Sequence, residues 1–546
     1  MKKLLGLTLL LPFILWAGPP GQKYGKVVIG AKGHEDRRVG IASGNLIRTR
    51  FNNSGSIGGP GDRNKPRIEW PAYSGHEYGY ELGPLIGAQV MSELDTLKLM
   101  KDSALVIPWH GWGIIQQQVE IPTDVGVLTY DAGDTIRTDR GVRLTSDVEL
   151  LIRYPVFIVA DGIQDGGDED FEPLPGYANP NPPPEWQGWL AFSDKPETWP
   201  PTWPDGSTEW PGQFGKGCII ADQESYWVMT DEACTEFMDE YGPKYYPDPN
   251  NLDLHGLGIQ VECRHYQWAA APAQDIIFFI YKVKNISAKR IENMVFGFFG
   301  DYDIGGYPDY GDDLFGFDRS RNMVYSWDSD NQSVNFEPGE NIGWLGLIFL
   351  DSPGNDKDGI DNDGDGMIDE SQYNGIDDDG DWDATDEEAA ADPNDVDGKS
   401  DDVGADGIPN TGDYGEGDGV PTVGEPDFEW MDFDEKDRIG LTSCKPFLYG
   451  AAYAIWDSVM YAFMKPGTWE EFREVVGDFV SVFGAGYTAL DPGEEETYSV
   501  AVVVGADSAD LFQNADMALQ IYRLNYQFAR PPTTPTLRAF AGDGYV

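Results

Sequence analysis

A chain of 546 residues with 94 Asp and Glu against 38 Lys and Arg carries a formal net charge of −56. Such a balance excludes nucleic acid and anionic membrane surfaces as partners, since both require a basic face. The 66 Gly, 38 Pro and 13% aromatic residues favour short strands and tight turns over long helices, and the length allows about two to four domains.

The start Met1-Lys2-Lys3, the apolar run from Leu4 to Trp16 and the small residues Ala17 and Gly18 predict a secretory signal peptide over residues 1–18. The apolar run is too short to span a bilayer, and no later segment reads as a transmembrane helix. The mature chain is therefore expected to be secreted or on the cell surface, where weak calcium sites can fill.

Residues 19–165 read as a β-rich N-terminal domain with apolar runs at 104–108 and 148–160, the second interrupted at Pro155. Residues 166–217 are crowded with Pro and Trp and exclude regular helix or central strand, because Pro lacks the backbone donor. Two readings stand for Trp186, Trp199, Trp203 and Trp210: an irregular cover packed over a sandwich, or a platform for sugars. The four cysteines, Cys218, Cys234, Cys263 and Cys444, form no CxxC motif; Cys218 and Cys234 are the nearest pair for a disulfide, and buried thiols are the other reading.

From residue 218 to 350 the strand signals strengthen, at 256–266, 275–285, 292–300 and 342–350. Within 277–284, Phe279, Tyr281 and Val283 share one face, while Phe278, Ile280, Lys282 and Lys284 share the other, which turns polar at its end. That alternation predicts a β-sandwich. Strand patterns resume at 451–464, 479–483 and 498–505 within residues 441–530. A helix over 510–526 follows, capped by Ser508, with Leu511, Ala515, Leu519 and Tyr522 on one face. The predicted fold is mainly β, one sandwich interrupted by an acidic insertion at 351–440.

That insertion holds 32 Asp and Glu against 4 Lys and Arg, a density that repels itself unless cations neutralise it. Within it, Asp361, Asp363 and Asp365 stand at the first, third and fifth positions of a calcium loop, Gly366 at the turn, Met367 at the seventh position with its carbonyl, and Asp369 at the ninth. Calcium takes six to eight hard oxygen ligands, and a loop curling around the ion brings alternate side chains inward. The twelfth position is Gln372, so Glu370 or a neighbouring loop must close the shell. Sixteen residues on, Asp377, Asp379, Asp381 and Asp383 repeat the pattern, with Trp382 at the turn and Glu388 at the twelfth position. Asp395, Asp397, Asp401, Asp402, Asp406, Glu416 and Asp418 extend the series without loop spacing. A solvated linker needs charge but no order, so calcium is the expected partner of this region.

A second cluster, Asp301, Asp303, Asp309, Asp312 and Asp313, follows a strand. Asp and Gly are also the default turn residues, so a cation site and a plain turn both stand there.

The segments Trp70–Tyr78, Gly300–Gly306, Asp358–Glu370, Gly415–Pro426 and Tyr522–Pro532 resemble a family of large, uncharacterised exported proteins of Gram-negative bacteria. Members often continue into fibronectin type III repeats and a type IX secretion sorting domain. The Asp repeat by itself is similar to the calcium loops of thrombospondin type 3 repeats, and residues 531–546 resemble the linker and first strand of a fibronectin type III domain. The family implies no particular reaction.

Nothing in the sequence points to catalysis: HExxH, GxSxG and GxxxxGK[ST] are absent. Of the five histidines, His34, His76, His110, His255 and His265, the last two flank a strand and read as structural. The expected function is a calcium-binding structural or adhesive protein; the alternative is a carbohydrate-binding protein that uses the Trp-rich segment, with a surface glycan or protein as partner.

Overall fold

The computed structural model describes residues 34–60, 66–107, 111–164, 169–234, 245–353, 439–449, 456–470 and 475–526, with scattered positions between 382 and 425. The signal peptide and the fibronectin-like tail lie outside the described residues. The fold is mainly β, built from several antiparallel sheets.

Alternation along single strands dictates the layers. In the strand Ile276–Asn285, Ile277, Phe279, Tyr281 and Val283 point into one large core, while Ile276, Phe278 and Ile280 enter a second core on the opposite face. In Ile291–Tyr302, Met294, Phe296, Phe298 and Tyr302 enter the large core and Val295 enters a third. Successive side chains leave a strand on opposite faces, so a strand apolar at every position must be covered twice.

Two eight-stranded sheets meet across the large core. The first runs in the order 39–42, 49–52, 57–58, 81–91, 291–302, 479–490, 443–448, with 155–161 also paired to 81–91. The second runs 172–173, 223–230, 259–267, 276–285, 495–505, 344–351, 323–328, 313–318. Across the seam, Phe296 of the first sheet stacks on Tyr498 of the second, with ring centroids 4.3 Å apart and planes 13° from parallel.

A helix covers each outer face. Helix α1, Asp457–Met464, sets Met460, Tyr461 and Met464 against Leu85, Val159, Val295, Val480 and Val482. Its Asp457 carboxylate accepts the Val159 amide at 2.9 Å. Helix α2, Ser508–Arg523, buries Leu511, Ala515, Ala518, Ile521 and Tyr522 over Phe278, Ile280, Ile348, Ala501 and Val503.

Several expectations need correction. Residues 451–464 were expected to be strand, yet 457–464 form α1; Met460, Tyr461 and Met464 lie one turn apart on a single face, and that period outweighs their aromatic and branched neighbours. The cap of α2 is Asp507 rather than Ser508, its carboxylate accepting the amides of Ala509 and Asp510 at 2.9 and 3.0 Å. Pro155 opens a strand instead of interrupting one. Residues 19–165 do not stand apart, because 39–42, 49–52, 57–58, 81–91 and 155–161 all belong to the first sheet. What projects from that sheet is the stretch between its paired strands 81–91 and 155–161, which folds into a four-stranded sheet of 135–137, 112–115, 148–153 and 95–99, the hairpin 119–123 with 126–130, and a two-stranded pairing of 104–105 with 139–143.

The Pro/Trp segment is a cover. Trp203 and Trp210 are buried against each other and Trp199, and the Trp210 indole donates to Glu224 Oε2 at 2.7 Å. Among the described residues no helix is long and apolar enough to cross a membrane.

Removing the Phe296 ring strands Tyr498 beside a cavity in the seam. Phe296→Ala is expected to cost about 3–5 kcal/mol in urea unfolding, whereas Val127→Ala, at a 59% exposed position, should stay within about 0.5 kcal/mol.

Candidate metal centre

The sheets hand over to each other at one end of the sandwich. The first-sheet strand Ile291–Tyr302 is followed by a loop and then by the second-sheet strand Asp313–Asp318. This crossing carries Asp301, Asp303, Asp309, Asp312 and Asp313. Folding adds two carboxylates that no local pattern announces: Asp478, just ahead of the strand Phe479–Leu490, and Asp328, the last residue of Met323–Asp328.

These residues gather into two groups. Carboxylate oxygens of Asp301, Asp303 and Asp478 lie within 4.8 Å of one another, and so do those of Asp309, Asp312 and Asp328. Two oxygens on one calcium ion sit at most about 5 Å apart, twice the bond length, so each group can close around a single hard cation. Asp301 is aligned with Val480 in the ladder, which places Asp478 beside it on the neighbouring strand end.

Asp313 belongs to neither group but lies within electrostatic reach of members of both, Asp303 in one and Asp312 and Asp328 in the other. It is aligned directly with Asp328 on the paired strand and is fully buried. Its Oδ2 accepts the Ile304 amide at 3.0 Å, while Oδ1 is buried with no hydrogen-bond partner. Asp309 Oδ2, Asp328 Oδ2 and Asp478 Oδ1 are buried without partners as well. A buried acceptor left without a donor is costly, and more so when charged, so four such oxygens at one crossing are what a cation would satisfy.

The electrostatics follow from this crowding. Burial pushes Asp303 up to about 7, with the Asp478 carboxylate adding to the rise and Arg67 pulling it back. Burial also raises Asp478 to about 6 and Asp328 to about 6, the latter helped by Asp312, Asp309 and Asp330 against the Asn331 amide. Asp313 is held well above the usual carboxylate range by burial and by Asp303, Asp328 and Asp312, with the Ile304 amide opposing. Asp309 and Asp312 are also raised, by burial first and then by their acidic neighbours, with the Ser333 hydroxyl opposing the rise at Asp309.

The crossing is braced in this shape. Gly305 has φ +83°, and a Cβ there would lie 2.5 Å from Asp309 Oδ2, so only glycine admits that carboxylate. The Asn335 side chain donates to the carbonyls of Gly305 and Tyr307 at 2.7 and 2.9 Å. Gly477 donates its amide to the Asp313 carbonyl at 3.0 Å, joining the lead-in of a first-sheet strand to the edge of the second sheet.

All of the loop residues expected to hold calcium, Asp361, Asp363, Asp365, Met367, Asp369, Glu370, Asp377, Asp379, Asp381, Asp383 and Glu388, lie outside the described residues, as do Asp395, Asp397 and Asp406. Of the weaker candidates in the insertion, Asp402 accepts the amides of Gly417, Asp418 and Gly419, and Glu416 accepts those of Asn410 and Gly412. These two carboxylates hold turns, as Asp and Glu commonly do. His265 is buried among Phe51, Phe192 and Phe279, and burial lowers it to about 3; the His255 ring meets the Glu232 carbonyl at 3.1 Å. Neither histidine belongs to the acidic cluster.

A carboxyl whose pKa is raised by folding takes up a proton as the chain folds. Its penalty is absent below the unfolded value near 4 and fully present above the folded value. With cations removed by EDTA, stability is therefore expected to fall as pH rises from about 4 to about 7. Asp303→Asn should flatten that slope in urea titrations across this range; an unchanged slope would show that the carboxyl is not under strain. The chain matches no known protein-family model and no curated protein sequence.

Proposed function

We propose that this is an exported, calcium-stabilised structural or adhesive protein in which hard cations at the crossing between the sheets hold the sandwich closed. The observation that carries this reading is Asp313, fully buried with one unpartnered carboxylate oxygen and set among carboxylates drawn from both sheets. An all-oxygen donor set suits calcium, magnesium or manganese and does not suit zinc or copper. Calcium is favoured because it tolerates the irregular, carboxylate-rich geometry of loops, and because the repeat at 361–388 has calcium-loop spacing. The signal-peptide pattern supports export.

The reading that places sugars on the Trp-rich segment has less support. Two of its four rings, Trp203 and Trp210, are buried, and the Trp199 indole is engaged with the Phe192 carbonyl at 2.6 Å.

Ions that bind the folded chain and not the unfolded one stabilise it by about 2.7 kcal/mol per site at a hundredfold excess over Kd. Melting in millimolar calcium is expected to exceed melting in EDTA by several degrees. Asp313→Asn separates this crossing from the insertion: in EDTA the variant should melt higher than the parent, because a buried charge is gone, while its gain from calcium should shrink. Melting insensitive to chelator, or a variant with the parent's full calcium gain, would remove the crossing from the proposal.

A further inference from the structure

The acidic crossing is larger than one ion can serve. Seven carboxylates converge there: Asp301, Asp303 and Asp478 in one group, Asp309, Asp312 and Asp328 in the other, and Asp313 within electrostatic reach of Asp303, Asp312 and Asp328. A single divalent ion would leave most of this charge unbalanced. It would also leave oxygens without partners in the group it did not occupy, since these occur in both: Asp478 Oδ1 in the first, Asp309 Oδ2 and Asp328 Oδ2 in the second.

We propose that the crossing binds two divalent cations, one held by Asp301, Asp303 and Asp478 and the other by Asp309, Asp312 and Asp328, coupled by the loop they share, with the buried Asp313 carboxylate as an anion close to both. This rests on the cation reading above and extends it to stoichiometry and cooperativity. The first ion sits on the first sheet, because Asp301 belongs to Ile291–Tyr302 and Asp478 immediately precedes Phe479–Leu490. The second sits against the edge of the second sheet, where Asp328 ends Met323–Asp328. Together they span the seam.

The coupling has a physical origin in the shared chain. One loop, 303–313, supplies Asp303 to the first group and Asp309 and Asp312 to the second. Fixing it around one ion therefore removes part of the ordering cost of binding the other. Asp313, an anion within electrostatic reach of both groups, offsets part of the repulsion that two nearby cations exert on each other. Each group has one buried carboxylate, Asp301 or Asp328, and two half-buried ones.

The test uses the full-length mature chain, with calcium as the probe, counted by native mass spectrometry and titrated by calorimetry. Ions held by the insertion appear in every variant, so only differences from the parent matter. The triple variant Asp309→Asn, Asp313→Asn, Asp478→Asn should bind two fewer ions than the parent. Asp478→Asn alone should weaken calcium at the second group by about fivefold or more, the lower end of usual coupling, although Asp478 is no ligand there; Asp309→Asn should do the same to the first group. A difference of one ion, or single variants whose effects on the two groups are independent, would overturn the two-ion inference and leave the cation reading standing. No difference in ion count would overturn both. These changes remove buried charge, so the variants should fold in EDTA at least as well as the parent, which melting curves in EDTA verify; a peripheral Asp330→Asn variant gives a reference that should keep both ions.

Discussion

A strand apolar on both faces cannot be left half covered, and this requirement organises the molecule. Ile276–Asn285 and Ile291–Tyr302 send alternate side chains into different cores, so the two sheets turn one face toward each other and need a helix outside each. α1 and α2 meet that need. With the faces sealed, the chain can pass between sheets only around the ends of the sandwich, where turns with polar backbone meet water. The passage from Tyr302 to Asp313 is one of these, and it concentrates carboxylates where an apolar structure must admit polar groups.

What separates a candidate cation site from an ordinary acidic turn is the fate of each oxygen. Asp231 is as buried as Asp313 and is likewise raised, to about 7, yet its carboxylate accepts the amides of Leu257, Gly258 and Ile259 at 2.6, 3.1 and 2.9 Å. Glu425 in the insertion is also fully buried, accepting the amides of Gly404 and Thr422 and the Trp382 indole. Both are satisfied by the chain itself. A raised pKa thus reports burial in either case, and the unpartnered oxygens of Asp313, Asp328, Asp309 and Asp478 are what set the crossing apart. Two carboxylates 4 Å apart repel by about 4 kcal/mol at an effective dielectric of 20, so an acidic crossing without counter-charge works against the seam it sits on.

The sandwich was legible in the sequence wherever one strand carried a clean period of two. Residues 275–285 show this, and both faces of that strand are as the alternation predicts. The amphipathic pattern of α2 was legible for the same reason. Joining the N-terminal strands to the first sheet was not, because pairing such as Val295 with Gly87 spans some two hundred residues and leaves no local trace. The acidic crossing was half legible. Asp301, Asp303, Asp309, Asp312 and Asp313 stand close together in the chain, whereas Asp328 sits in an ordinary strand ending and Asp478 follows an unremarkable Val-Val-Gly. Their role depends on register, here Asp313 opposite Asp328, and on which strand ends meet.

Register also explains why the crossing matters to the sheet as a whole. The strand Asp313–Asp318 is the terminal strand of the second sheet, and an exposed edge is a template for unwanted pairing unless it is charged, covered or tied down. Its hairpin with Met323–Asp328 is tied at the turn: Asn322 accepts the Leu441 amide through its side chain at 2.9 Å and the Phe349 amide through its carbonyl at 3.0 Å, and Arg321 bridges Asp318 and Asp516 of α2. The insertion returns beside that turn, its stem closed by the Ile439 amide on the Pro353 carbonyl at 3.2 Å. At the open end the Gly477 amide holds Asp313, and the surrounding side chains are mostly carboxylates that repel, with Arg67 in electrostatic reach of Asp303. One end of the edge hairpin is thus fixed by neutral hydrogen bonds and an ion pair, and the other depends on charge being balanced. Under the cation reading proposed above, cation supply would act as a lever on the edge of the sheet at this end.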